Sequence, residues 1–190
     1  RRVLCDGLAA QAGIEVVGSA PDPYVARDRI AALHPDVLTL DVEMPRMDGL
    51  SFLAKLMQHH PLPVVVLSSL TPQGSDVAMR AFELGAVDVL CKPSSAWSVG
   101  DSLPALARAI RAAARARVVQ RQPPPRVADK PAPVLRTTNR IVAIGASTGG
   151  TEALRAVFAA LPGDAPGTVI VQHMPPLFTG AFARRLDECS

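Results

Sequence analysis

Short apolar runs, each followed by an amphipathic stretch, recur along this chain, and that alternation restricts its fold more than any other feature. Residues 14–18 read as a strand and 23–33 as a helix. Residues 37–40 form a short apolar run ending at Asp41, and a helix opens at Asp48-Gly49 and runs to about residue 60. Residues 63–67 are Pro-Val-Val-Val-Leu, a β-branched strand of the kind buried on both faces. Residues 76–84 are helical with Gly85 where a C-cap belongs, and 87–91 read as another strand. A long Ala/Arg-rich helix begins at Ser102 with Pro104 in its first turn. Strands and helices in strict alternation imply a parallel sheet with helices on both faces.

The pattern then breaks. Residues 120–139 contain Pro123-Pro124-Pro125, Pro131 and Pro133 with charge and little apolar periodicity, the composition of a linker. Beyond it the alternation restarts, with strands at 141–144 and 168–172 and helices at 151–161 and 177–188. The expected organisation is a first α/β domain over 1–118, a linker over 119–139, and the beginning of a second parallel α/β, Rossmann-like domain over 140–190. Two strands are too few for that second part to stand alone.

Composition removes several function classes. Apolar residues make up 48% and charged residues 19%, which suits a packed core and not a disordered chain. No apolar run reaches the ~20 residues of a membrane span, so no membrane insertion is expected. The net charge of +3 comes largely from arginines between Arg108 and Arg126, and aromatic residues are only 4%. That pattern reads as a basic helix face and linker, not as a nucleic-acid surface with stacking platforms. Cys5, Cys91 and Cys189 are odd in number and widely spaced, without metal-ligand spacing, which fits a reducing, cytoplasmic setting.

In open parallel sheets, sites form beyond the carboxyl ends of the strands. Three consecutive strands here end in Asp41, in Ser68-Ser69 and in Lys92-Pro93. A carboxylate oxygen can attack a phosphoryl group in line if cations screen the charge, and a hydroxyl and an ammonium nearby can bind the phosphoryl oxygens. Singly, such residues are caps, turn formers or solvated surface groups. Together at neighbouring strand ends they are far more specific.

The segment Asp41-Val42-Glu43-Met44-Pro45-Arg46-Met47-Asp48-Gly49 is similar to the phosphorylation motif of response-regulator receiver domains. Ser68 matches the family's switch Ser/Thr, and Lys92-Pro93 its lysine with a cis-proline peptide. The resemblance implies a flavodoxin-like order of five parallel strands, and Asp41 as the phosphoacceptor of a histidine kinase. It also implies Mg²⁺ bound by Asp41 and the backbone carbonyl of Glu43. One departure stands out: the acidic pair that holds the metal in receivers follows a first strand, whereas this chain opens at Arg1-Arg2-Val3-Leu4, which looks like the first helix. Asp6 lies inside that helix pattern and substitutes poorly. A truncated receiver is expected, with weak Mg²⁺ binding in this chain as it stands.

In the second part, residues 141–150 run strand, tight turn, helix, and Gly145-Ala146-Ser147-Thr148-Gly149 fits G-x-S-x-G. A nucleophile on such a turn needs neighbours without bulk, and the helix N-terminus directs N–H groups at a developing oxyanion. The motif alone is weak, since glycine-rich turns also bind phosphate. It lacks the dinucleotide G-x-G-x-x-G pattern and the Walker A lysine. His173 ends the next strand, so adjacent parallel strands could bring Ser147 and His173 within hydrogen-bond reach.

Gly145-Ala146-Ser147-Thr148-Gly149-Gly150 followed by Gln172-His173-Met174-Pro175 resembles the catalytic domain of the CheB family of chemotaxis protein-glutamate methylesterases. A receiver, a proline-containing linker and this domain repeat the family's layout. The resemblance implies Ser147 as nucleophile, His173 as general base, Thr148 as an oxyanion donor through its backbone N–H, and no cofactor for the esterase. The implied substrates are glutamyl methyl esters, and some glutamines, on the cytoplasmic part of chemoreceptors, with the kinase CheA as phosphodonor. The receiver is expected to dock over the esterase site and to release it on phosphorylation. The aspartate that orients the histidine in this family is not matched: Asp164 sits in a Pro-Gly-Asp turn and Asp187 on a helix, and the chain alone is expected to be nearly inactive. A non-catalytic two-component signalling adaptor is the alternative. A DNA-binding regulator is disfavoured, because no helix-turn-helix pattern follows the linker.

Overall fold

The computed structural model describes residues 2–69, 72–92, 99–116, 118 and 140–189, with the backbone alone in helical residues 72–75 and 99–101. Three helices and a strand come first: α1 (Arg2–Ala9), α2 (Pro23–Leu33), β1 (Leu38–Asp41) and α3 (Gly49–His59). They are followed by β2 (Val64–Ser68), α4 (Pro72–Glu83), β3 (Asp88–Cys91) and α5 (Val99–Ala113). After the interruption come β4 (Ile141–Ala146), α6 (Gly150–Ala160), β5 (Gly167–Gln172) and α7 (Pro176–Asp187). The proposed linker and the Lys92-Pro93 peptide fall on residues outside the described set.

β1, β2 and β3 form a parallel sheet in that order, with Asp41 opposite Leu67 and Ser68 opposite Cys91. Every residue of β2 is buried, as its unbroken β-branched run requires of a central strand. Side chains alternate across the sheet. Val64 and Val66 join the core beneath α3 and α4, while Val65 and Leu67 join Leu8, Leu106, Ala109 and Ala113 beneath α1 and α5. The parallel sheet with helices on both faces expected from the alternation is therefore present, and of the five flavodoxin-like strands that the receiver resemblance implies the described residues form three.

Two local expectations are corrected. Residues 14–18 make no strand. The outer edge of β1 faces a cleft of about 1430 Å³ lined by Ile14, Val16, Leu38, Leu40 and Ile110, so this segment lies too far away to join a ladder. Apolar alternation alone cannot form a strand without a neighbour to pair with. Pro104 lies inside α5 and not in its first turn, because the helix starts earlier, at Val99.

The caps follow local chemistry. Asp22 accepts from the amides of Tyr24 (2.9 Å) and Val25 (3.1 Å) to start α2, and Asp48 accepts from Ser51 N (2.9 Å) to start α3. β4 and β5 form a second parallel sheet. Along β5, Ile170 and Gln172 turn inward while Val169 and Val171 are exposed. This two-stranded sheet leans on the first unit through α7, whose Phe178, Ala181, Phe182 and Leu186 enter the same apolar cluster as Met79 and Phe82 of α4. Phe178 is only 1% exposed, and truncation of such a side chain to Ala costs about 3–5 kcal/mol.

Candidate functional site

The first cluster sits at the carboxyl edge of the three-stranded sheet. The parallel register ends β1 at Asp41 and β2 at Ser68, and the Lys92 amide then bonds Ser68 O at 2.7 Å. Lys92 Nζ reaches Asp41 Oδ1 at 2.7 Å and Glu43 Oε2 at 3.3 Å. Burial pulls the Lys92 ammonium toward neutrality, but hydrogen bonds and charge from Asp41 and then Glu43 outweigh it and raise its pKa above the usual lysine range. Asp41 Oδ1 also accepts from the Glu43 amide at 2.8 Å.

Gly49 makes this packing possible. Its amide bonds Val42 O at 2.8 Å, and a Cβ there would overlap the Asp41 carbonyl oxygen and come within 2.8 Å of Val42 Cα. Ser68 follows the position opposite Asp41, but it is only 1% exposed, so the strand end holds it inside the edge and not on its rim. Cys91, beside Lys92, is pushed up in pKa by burial, which keeps it a thiol and a poor nucleophile.

For Mg²⁺, the described residues offer the Asp41 carboxylate and the Glu43 backbone carbonyl, both hard oxygen donors. No group of three His, Cys, Asp or Glu converges among the described residues. Mg²⁺ tolerates one or two carboxylates when waters and phosphate complete its octahedron, so these donors fit it as an open, weakly held site.

The second cluster sits at the carboxyl edge of the two-stranded sheet. Ala146 and Gln172 are register partners, so Ser147 and His173 leave adjacent strands side by side. Ser147 Oγ lies 3.4 Å from His173 Nδ1, and the His173 amide bonds Ala146 O at 2.9 Å. Ser147, Thr148 and His173 are all exposed. Gly149 takes a left-handed φ of 76° at the head of α6, which favours glycine, and the Gly150 amide closes the turn on Ser147 O at 2.7 Å. Gly150 is needed for space, because a Cβ would overlap Gln172 Oε1 and stand 2.7 Å from Ala146 Cβ.

Sequence reasoning gave Gln172 no role, yet its Nε2 donates to Ser147 O at 3.0 Å and His173 O at 3.1 Å, tying the two strand ends together. Its Oε1 and the Thr151 hydroxyl are buried without a hydrogen-bond partner. Asp88, at the start of β3, was missed as well: Thr148 Oγ1 donates to Asp88 Oδ2 at 2.9 Å. Asp88 joins Phe82, Ser147, Gln172, His173 and Phe178 around a cavity of about 10 Å³, too small for more than a water. Burial raises the Asp88 pKa, against hydrogen bonds from Thr148 and Val89 and the nearby His173 ring. Among the described residues no carboxylate is hydrogen-bonded to the His173 ring, and Asp164 and Asp187 are exposed elsewhere.

Residues 1–100 match the response regulator receiver domain family, and residues 142–190 match the CheB methylesterase family. A protein-glutamate methylesterase/protein-glutamine glutaminase of Syntrophus aciditrophicus is 53% identical, over 98% of this chain and 56% of its own length. The Salmonella choleraesuis protein of the same name is 49% identical, over 99% of this chain and 54% of its own. The chain thus spans about half the length of the curated relatives it matches. The solved response regulator domain of Thermotoga maritima CheB superposes with a TM-score of 0.56 at 35% identity, covering 61% of this chain and 88% of that one.

Proposed function

The chain belongs to the response regulator receiver family, joined to a CheB methylesterase segment, and from that premise we propose that it carries the phosphoacceptor and the nucleophile of a phosphorylation-controlled protein-glutamate methylesterase/glutaminase acting in chemotaxis. The observation that carries this reading is the Ser147–His173 pair, 3.4 Å apart on a glycine turn at a helix head. His173 Nδ1 takes the Ser147 proton as Oγ attacks the side-chain carbonyl of a methylated glutamate on a chemoreceptor. Backbone amides of the turn, with Thr148 N–H among them, hold the tetrahedral oxyanion. The imidazolium returns its proton to the leaving oxygen, methanol departs, and a glutamyl–serine ester remains. His173 then deprotonates water, which releases the glutamate and regenerates Ser147. With a glutamine substrate, ammonia leaves in place of methanol.

In the receiver, an Asp41 oxygen accepts a phosphoryl group from the histidine kinase CheA, and the Lys92 ammonium neutralises the phosphoryl oxygens. Ser68 binds them once its hydroxyl turns outward. Mg²⁺ at Asp41 and the Glu43 carbonyl supplies charge neutralisation when bound. Docking of the receiver against the second unit holds the esterase down, and phosphorylation shifts the population toward release. The proposed setting is the cytoplasm, where the methylated receptor tails lie.

The test is methanol release from methylated receptor by the full-length protein with acetyl phosphate and Mg²⁺. Ser147→Ala should abolish release, and a serine-directed phosphonate should label Ser147. Release that persists in Ser147→Ala, or no label, would overturn the assignment.

A further inference from the structure

Among the described residues the receiver meets the second unit through three kinds of contact. The apolar contact is the packing of Phe178 and Phe182 against the α4 side. The ionic contact is Arg185 of α7 with Glu83 of α4. The third is Asp88, half-buried where β3 abuts the esterase turn.

The first two favour docking, but Asp88 differs. Among the described residues its hydrogen bonds come from the Thr148 hydroxyl at 2.9 Å and the amide of its own neighbour Val89 at 2.9 Å. Among the described residues no Lys or Arg pairs with it. A carboxylate partly withdrawn from water loses hydration that one hydroxyl and one amide do not fully replace, so its charge weighs against docking. The upward pKa shift has the same sign.

We propose that Asp88 is a counterweight in the docking interface: its carboxylate weakens the contact between receiver and esterase turn, so that phosphorylation at Asp41 suffices to release it. This rests on the reading of the second unit as a receiver-inhibited esterase. Allosteric inputs supply couplings of only ~1–3 kcal/mol, so a receiver docked by apolar packing and an ion pair alone would resist release. An acid placed against Thr148, next to the nucleophile, tunes the balance where it acts on the site.

The sign of one substitution decides the matter. Asp88→Asn keeps the shape and the acceptor for Thr148 and removes the charge. In full-length protein without phosphodonor, it should lower Ser147-dependent methanol release roughly tenfold and slow phosphonate labelling of Ser147 to match. Glu83→Gln, across the same interface, should raise both. An Asp88→Asn rate equal to or above wild type overturns the proposal, the second result making Asp88 a latch. If Asp88→Asn fails to accumulate, Asp88→Ser carries the same expectation, because it too removes the charge. Wild-type protein that releases no methanol even with acetyl phosphate would remove the esterase reading, and this inference with it; a wrong sign in Asp88→Asn removes the inference alone.

Discussion

Ser147 Oγ and His173 Nδ1 stand 3.4 Å apart because the residues before them, Ala146 and Gln172, are partners in a parallel ladder. Ladder spacing alone brings two strand ends to within ~5 Å. The Gln172 amide narrows the remaining freedom by bonding the carbonyls that follow each strand. The proposed nucleophile and base are thus positioned by backbone register and one amide side chain.

Gly150→Ala tests that positioning. The new methyl would overlap Gln172 Oε1 and crowd Ala146, and Gln172 can yield only by giving up the bonds that tie Ser147 and His173. Displacements near 1 Å cost reactions about 10²-fold, so methanol release with acetyl phosphate should fall by roughly 10- to 100-fold. Receiver phosphorylation should be unaffected. A wild-type rate would mean that Gln172 positions nothing.

How far the chain could be read depends on which contacts are local. β2 was legible because four consecutive apolar residues, Val64 to Leu67, make an unmistakable run, and all of them are buried. Asp41, Ser68 and Lys92 could be grouped because parallel strands bring their carboxyl ends together whatever the side chains do. Residues 14–18 misled because their apolar alternation carries no information about whether a ladder partner lies alongside. The helix boundaries of α4 and α5 moved earlier than their apolar periodicity, since polar first turns carry no such signal. Asp88 and Thr148 could not be linked at all: they are 60 residues apart, and their bond forms across the packing of the second unit on the first.

Lys92→Gln should uncouple the receiver. The ammonium is 2.7 Å from Asp41 Oδ1, and its raised pKa keeps it charged across the working range. Loss of that charge removes the cation proposed to face the incoming phosphoryl group. Acetyl-phosphate stimulation of methanol release should drop by at least about tenfold, as one charge-assisted bond warrants. The unstimulated rate should stay near wild type. Equal stimulation of the two proteins would exclude Lys92 from the phosphoryl site.

Asp48→Ala should destabilise the receiver through the start of α3. Asp48 accepts from Ser51 N at 2.9 Å and Ser51 Oγ at 2.7 Å, and loss of an N-cap of this kind costs about 0.5–2 kcal/mol. Hydrogen bonds from Ser51 hold the Asp48 pKa below its ordinary 3.8. The stabilisation is therefore present above 3.8 and is lost as pH falls through the lower folded value. Urea unfolding should separate variant and wild type at pH 7 and show the gap closing in strong acid. A gap constant with pH would assign the effect to helix propensity and not to the carboxylate.

Asp88 has the opposite linkage. Burial raises its pKa above the ordinary 3.8 in the folded protein. Between that value and the raised one, the folded state binds more protons than the unfolded state, so stability falls as pH rises. The favourable contribution is complete below 3.8 and lost once pH passes the folded value. Asp88→Asn has no proton to lose and should escape the decline. Melting temperatures of the two proteins should therefore converge in acid and part toward neutral pH, with the variant the more stable there. The nearby His173 ring opposes the shift without reversing it. Parallel melting curves from acid to neutral pH, or a wild type more stable than the variant at pH 7, would show that the carboxylate is not buried at a cost in this interface.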